Sequence, residues 1–523
     1  MKMKPLMMKA IGHTSWLVAG VLMLTACAEG YDGDDAFLSS VQNQQLERIA
    51  DGSIVLQPSA DGGTWNISWP VVHGAGGYSV ILYDNGDPEN PTEIVNKVVD
   101  GCSTTAKRED DINYKLVVKV LGNTALGNTE PAESTDTTFT TYTQTFIAIP
   151  ATDSNNQPTN LAQWFTENPV PDDSIGINLN YDLAAGAEYI LDSDIDFGKH
   201  TVTLRSTSKN THAKIKYASN ASIQSYSPMT VKYLDFDCSL SSAPVFELSP
   251  APADSLKGAT GKGDYFNLQG NWTIQSCNFE GVNYQLLYDN DKKYCLETMM
   301  IDNCIVHLTL SPETNVSGNA VIYFKTGYAN YTYVQNSTFY NTGEAAPRYF
   351  LQHGNNNRAD RAGYEYNLVS YKNNTFYNLN ASQWSNYSGF AGRTTSRWNS
   401  TANIFYECGS QVARRLLGGR DAKSYTGQAG YSMDYIVFNN NTYWLNGAQE
   451  DATGYDIGTC LDTDPAFVDP DAATPNFRPT GEAQVKRKTG DPRWYDMPAT
   501  AAASDEPAAG GDEPANGGEP GAE

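Results

Sequence analysis

Between residues 345 and 425 the chain reverses its charge. Ten cations, Arg348, Arg358, Arg361, Lys372, Arg393, Arg397, Arg414, Arg415, Arg420 and Lys423, stand there against four acids. The whole sequence has 35 Lys and Arg against 60 Asp and Glu, a formal net charge of −25. Interleaved with the cations are Tyr349, Tyr364, Tyr366, Tyr371, Trp384, Tyr387, Trp398 and Tyr425. A guanidinium is a planar fork that gives a carboxylate two parallel hydrogen bonds, and an aromatic face can cover the apolar face of a sugar ring. Arg348, Arg358, Arg361, Trp384, Arg393, Arg397, Trp398, Arg414 and Arg420 are therefore candidates for binding an acidic, uronate-containing polysaccharide. The alternative is that these arginines pair with backbone carbonyls and the few local acids while the aromatics fill loops.

The same residues raise a second chemistry. β-Elimination on a uronate needs a cation to neutralise the carboxylate and a base to take the adjacent proton. Arg393 or Arg397 could serve as that base, with His353 as an additional proton carrier. Calcium would require several oxygen ligands. Asp192, Asp194 and Asp196 have the two-residue spacing that lines one face of a strand, and Asp235 and Asp237 repeat it further on. No close acid triad adjoins the basic stretch, so a binder is expected ahead of a lyase, with a structural or adhesive role as a third class. Hydrolysis by paired carboxylates finds poor support, because Asp110-Asp111 and Asp172-Asp173 lie ahead of the repeat described next. A strongly acidic chain also lacks the basic footprint of a nucleic-acid binder.

The scaffold that must position these groups is repetitive. One short pattern recurs as Leu234-Asp235-Phe236, Ser276-Cys277-Asn278-Phe279, Asp302-Asn303-Cys304-Ile305, Asn336-Ser337-Thr338-Phe339, Asn373-Asn374-Thr375-Phe376, Ala402-Asn403-Ile404-Phe405 and Asn440-Asn441-Thr442-Tyr443. The large apolar residue returns at 236, 279, 305, 339, 376, 405 and 443. This spacing suits coils of a parallel β-helix with loop insertions. Asn tolerates the left-handed backbone of a coil corner, and its amide can bond the coils above and below. Ahead of the repeat, residues 50–142 carry short alternating runs broken by turns: Trp65-Asn66-Ile67-Ser68-Trp69-Pro70, Tyr78-Ser79-Val80-Ile81-Leu82-Tyr83 and Tyr114-Lys115-Leu116-Val117-Val118-Lys119-Val120. They predict a small antiparallel β-sandwich. The expected fold is thus all-β, the sandwich followed by a right-handed parallel β-helix over 150–495. Residues 499–523 are Ala, Gly, Pro, Asp and Glu almost throughout, a tail expected to be disordered.

The first residues concern address rather than fold. Lys2, Lys4 and Lys9 precede an apolar run from Trp16 to Leu24, and Leu24-Thr25-Ala26-Cys27 follows. This is a secretory signal over 1–26, and its apolar run falls short of the roughly 20 residues that span a bilayer. The Cys27 motif resembles the bacterial lipobox, which implies lipidation at Cys27 and an outer-membrane anchor. Residues 27–49 form a tether. The acids after Cys27 resemble the surface-export signal of Bacteroidota lipoproteins. Seven further cysteines show no CxxC pair, and most are expected as small buried residues.

The sandwich resembles fibronectin type III through Trp69, Tyr78 and Tyr114. Glu188-Tyr189-Ile190-Leu191 through Val202-Thr203-Leu204-Arg205-Ser206 resembles the opening coils of pectate-lyase-like right-handed helices, and Asp464-Pro465-Ala466-Phe467 through Arg493-Trp494 resembles a terminal coil. The order of parts resembles uncharacterised β-helix lipoproteins among glycan-utilisation genes of Bacteroidota. That implies cell-surface exposure, engagement of a pectin-like glycan and glycan-importer proteins as partners. It identifies no cofactor, with Ca2+ the one metal to consider.

Overall fold

The computed structural model describes residues 41–59, 64–109, 112–141, 146–258, 265–314, 320–354, 364–387, 389–391, 393–456 and 458–498. Cys27 with its leader, the tail 499–523, Arg358, Arg361 and the pair Asp110-Asp111 lie outside the described residues. The chain forms two compact units. No helix among the described residues is long and apolar enough to cross a membrane.

In the first unit, alternation along Trp65-Asn66-Ile67-Ser68, Gly77–Asp84 and Asn113–Leu121 puts every second side chain inward. A three-stranded sheet (Val55–Pro58, Thr64–Ser68, Ser103–Lys107) and a four-stranded sheet (Thr92–Val99, Gly77–Asp84, Asn113–Leu121, Thr135–Thr140) share one core. Trp65 lies edge-on to Tyr114 at 6.2 Å. The Tyr114 hydroxyl accepts from Glu109 N (2.8 Å) and donates to Glu109 O (3.2 Å), which pins the strand start as a tyrosine corner does.

The second unit is a parallel β-helix. Among the described residues its coils build three long sheets, here A, B and C, of ten, ten and seven strands. Seven successive coils visit A, then B, then C, and pair with their neighbours in parallel register, and the later coils have A and B strands only. Right-handed winding is the rule for such parallel crossovers. Sheet A includes Asn178–Leu183, Phe266–Gln275, Tyr294–Asp302, Tyr328–Gln335, Asn367–Lys372 and Ser396–Thr401. Sheet B includes Leu234–Asp237, Asn278–Val282, Ile305–Leu308, Thr338–Asn341, Thr375–Tyr377, Ile404–Tyr406 and Thr442–Leu445. Sheet C runs from Ile195–Asp196 through Ile223–Ser225, Phe246–Leu248, Leu287–Tyr288, Ala320–Tyr323 and Tyr349–Gln352 to Ser385–Asn386.

The corner between A and B explains the sequence repeat. Tyr233, Ser276, Asn303, Asn336, Asn373, Ala402 and Asn440 occupy it, all with φ between 50° and 59°. That left-handed region costs most L-residues about 1–2 kcal/mol and Asn less. The residue after each corner points inward, and in the last coils it is Asn374, Asn403 and Asn441, all fully buried. The Asn403 amide donates to Asn441 Oδ1 (3.0 Å), and its oxygen accepts from Asn374 N (3.0 Å) and Nδ2 (2.9 Å). Earlier coils place Cys277 and Cys304 at this position, with thiols turned to the backbone carbonyls of Val231 and Ile274. None of the seven described cysteines is paired in a disulfide.

Three residues past each corner comes the stacked aromatic. Phe339–Phe376, Phe376–Phe405 and Phe405–Tyr443 have centroids 5.6, 5.1 and 5.3 Å apart. One assignment from sequence is corrected. Phe279 pairs with Val306 and not Ile305, because the left-handed residue of that coil is Asn303. Ile305 faces the other way and packs outside with Tyr340, Phe477 and Trp494.

Both ends of the core are covered. Helix Leu161–Glu167 lays Leu161 and Phe165 on the first coil, with Phe165 edge-on to Tyr181 at 4.9 Å. At the other end, Val412–Leu416 and Ala422–Thr426 contribute Val412, Leu416, Ala422 and Tyr425 to the core. The closing segment is not a terminal coil as its sequence implied. Phe467–Asp469 and Asn476–Pro479 pair antiparallel, and residues 490–494 run back along sheet B as a strap. Gly490 N bonds Ala402 O (2.8 Å), Asp491 N bonds Thr375 Oγ1 (3.0 Å), and Trp494 Nε1 bonds Thr338 Oγ1 (2.7 Å). Only glycine suits position 490: φ is +97°, and a Cβ would lie 2.9 Å from both Ile404 Cδ1 and Thr375 Oγ1.

Asn403→Ala strands the buried groups its amide serves, a cost of about 2–4 kcal/mol for two or more charge-neutral partners. We expect a clear drop in thermal midpoint, against little change for Asn96→Ala on the sandwich surface. Equal midpoints for the two variants would show that the amide ladder contributes nothing.

Candidate functional site

Strand phase decides which predicted site residues meet solvent. Trp384 and Trp398 are 0% and 1% exposed, within the core. Trp384 stacks on Phe350 at 5.0 Å, and Trp398 packs on Tyr387 at 5.4 Å. Both are corrected from glycan-facing to structural. His353 is also corrected: it is 1% exposed, wedged between Phe324 (5.3 Å) and Phe390 (5.1 Å), and cannot carry protons to an external ligand.

The cations do not form one lateral patch. Arg348 is exposed ahead of a sheet C strand, over the Tyr349 ring at 5.0 Å. Arg393 is half-buried in the turn leading to Ser396–Thr401. Arg414 lies on the terminal cap, where Nη1 donates to Gln411 Oε1 (2.8 Å) and Nε to Gly419 O (3.3 Å). Arg420 is exposed on that same cap. These contacts give Arg414 the helix-closing role of the alternative reading.

Arg397 is different. Outward on sheet A and half-buried, its guanidinium sits 3.7 Å from the Tyr366 ring centroid and 4.6 Å from that of Tyr435. Such stacking on two rings is favourable and fixes the plane. Among the described residues no carboxylate pairs with it, and its buried Nε has no hydrogen-bond partner. Register places Arg397 beside Leu368, and Leu368 beside Tyr331. Tyr331 adjoins Tyr366 (5.2 Å) and Tyr364 (5.7 Å). Burial pushes the Tyr331 and Tyr364 hydroxyls up, and Glu297 adds to this, so both stay neutral donors. Glu297 itself is bound to Gly270 N at 2.7 Å.

The acids proposed for calcium do not fit the ion. A corner divides them: Asp192 follows strand Glu188–Leu191, and Asp196 belongs to Ile195–Asp196. Asp194 accepts from Ser222 N (2.8 Å), while Asp196 accepts from Gly198 N (2.8 Å) and Ser249 Oγ (2.6 Å). Their oxygens serve turns. Among the described residues no group of three or more His, Cys, Asp or Glu could hold a metal.

Sheet C carries a row that the sequence reading passed over. Asp196, Gln224, Glu247, Tyr288, Tyr323, Gln352 and Asn386 are register partners from coil to coil, spaced by the roughly 4.8 Å of adjacent strands. Glu247 Oε2 accepts from Gln224 Nε2 (2.9 Å) and Asn290 Nδ2 (3.4 Å). Tyr288 and Tyr323 stack at 5.6 Å and 18°. Burial, with Asp194 nearby, pushes the Glu247 carboxyl up to about 7, against the Gln224 hydrogen bond. Its neighbours in the row are the Gln224 amide and the Tyr288 phenol. The available signal was the alternation Val245-Phe246-Glu247-Leu248, which turns a lone acid outward.

Residues 1–186 match a domain of unknown function (DUF4992), and residues 187–342 match another (DUF4957). No curated protein matches the chain. Similar solved structures are pectate lyases. One is pectate lyase PelI from Erwinia chrysanthemi in complex with tetragalacturonic acid, 11% identical over 55% of this chain and 86% of that one, with a TM-score of 0.15. Another is pectate lyase Pel3 from Pectobacterium carotovorum, 12% identical over 79% of this chain and 100% of that one, also at 0.15.

Glu247 keeps its proton to about pH 7 when folded and releases it near 4.5 when unfolded. Its contribution to stability is therefore fully present at low pH and is lost as pH rises through 7. Carbon-13 titration should give this carboxyl a near-neutral midpoint, and Glu247→Gln should flatten the stability profile across that window. A midpoint near 4.5 would contradict the site.

Proposed function

We propose that this protein binds a carboxylate-bearing, pectin-like polysaccharide through the outward face of sheet A, displayed at the cell surface by a lipid on Cys27. The observation that carries the reading is Arg397, held between two tyrosine rings with no carboxylate among the described residues. Close to both rings, the guanidinium carries a planar fork that can give parallel bonds to a ligand carboxylate. Tyr331, Tyr364 and Tyr366, all partly exposed, offer neighbouring surface for sugar rings. The fibronectin type III-like module acts as a spacer in this reading, and importer proteins of the same envelope would receive the glycan. Of the groups considered for β-elimination, His353 is buried and Arg397 lies against two tyrosine rings, which leaves Arg393 as the one remaining base and favours binding over cleavage.

Calorimetry with polygalacturonate at low salt tests this. Arg397→Ala should weaken binding by about tenfold or more, the worth of a charge-assisted hydrogen bond. Arg397→Lys should restore little, since an ammonium lacks the fork, and Arg420→Ala should change nothing. Wild-type affinity in Arg397→Ala would overturn the reading, and ultraviolet absorbance from unsaturated ends would transfer the protein to the lyases. For the anchor, Cys27→Ser should abolish labelling by a fatty-acid analogue and release the protein from the membrane fraction.

A further inference from the structure

A cavity lies on the A–B corner of the early coils, with a volume of about 330 Å³. It is lined by Tyr233, Ser276 and Asn303, corner residues of successive coils, and by Lys209, His212 and Arg493. Three cationic or cation-forming side chains thus converge on one concavity in a chain of net charge −25. Asp235 pairs with His212 and Asp491 with Arg493, and each acid is engaged. Asp235 accepts from His212 Nδ1 (2.8 Å) and Asn278 Nδ2 (2.8 Å). Burial works against the charge of Asp235, but those hydrogen bonds prevail and hold its carboxyl below the usual range. Asp491 pairs with Arg493 Nε at 2.8 Å.

Arg493 is built in. Its Nη2 donates to Asn303 Oδ1 (3.0 Å) and Asn336 O (3.2 Å), so the strap delivers the guanidinium to a set place. The Tyr233 ring, 6.4 Å from that of His212, adds an apolar wall. The volume stands at the small end of ligand sites.

We propose that this cavity is a binding site for a monosaccharide-sized carboxylate, held by Lys209, His212 and Arg493. It shares no residue with the Arg397 surface and stands without it.

The test titrates the full chain with galacturonate and with galactose at low salt. Galacturonate should bind, with galactose at least about tenfold weaker, as a lost charge-assisted bond requires. Lys209→Ala and Arg493→Lys should each weaken galacturonate by about tenfold, while Asn96→Ala on the sandwich surface leaves it unchanged. Because Arg493 also ties down the strap, Lys209→Ala decides where Arg493→Lys does not fold. Absence of galacturonate binding, equal affinity for galactose, or wild-type affinity in Lys209→Ala overturns the proposal. So does binding lost in Arg397→Ala and kept in Lys209→Ala, which would place the acid on sheet A.

Discussion

No coil of this β-helix can pair its own strands or close its own core, so every feature depends on how one coil seats on the next. The seat is the corner between sheets A and B. There one residue turns left-handed, and from Ser276 onward the next sends a small polar or thiol side chain inward to the coil above or below. In the last coils those groups are Asn374, Asn403 and Asn441, fully buried. A buried amide is tolerable only when its donors and acceptors are met. The ladder therefore selects one register, and register is what stacks Phe339, Phe376, Phe405 and Tyr443.

The corner explains what the sequence made legible. Asn followed by a small polar residue, with an aromatic three positions past the turn, is a local pattern repeated wherever a coil closes. Its failure at Ile305 is instructive. Alignment on the large apolar residue follows hydrophobicity, but the geometry follows the left-handed Asn303, and the count from there ends at Val306. The end caps were not legible. Helix Leu161–Glu167 and the two helical turns after residue 411 break the repeat, and nothing in their composition says that they cover a core.

The functional surface was legible one residue at a time rather than as a patch. Because the chain passes from sheet to sheet within a coil, cations close in sequence are dealt to different faces: Arg348 by sheet C, Arg397 on sheet A, Arg414 on the cap. A run of like charges maps to a patch only if its residues share a register row. Neighbours in one strand cannot both serve, since the period of two sends them to opposite faces. Arg397 outward thus requires Trp398 inward, an exclusion present in the sequence itself. The same period turns Glu247 outward between Phe246 and Leu248, but its depth and its neutral-range carboxyl come from coils before and after it.

Contacts across the strap set a further order of dependence. Arg493 meets Asn303 across 190 residues of sequence, so the cavity it borders exists only after the last segment has docked over Thr338, Thr375 and Ala402. The Arg397 surface, by contrast, is built by residues within the span from Tyr331 to Tyr435 and needs no strap. A ligand of the cavity would bind the docked strap and not the free one, and so would stabilise the closed form in proportion to the logarithm of its concentration over its dissociation constant. A ligand at Arg397 would leave that equilibrium alone. The two surfaces thus differ in kind as well as place: one is a property of stacked coils, the other of a completed chain.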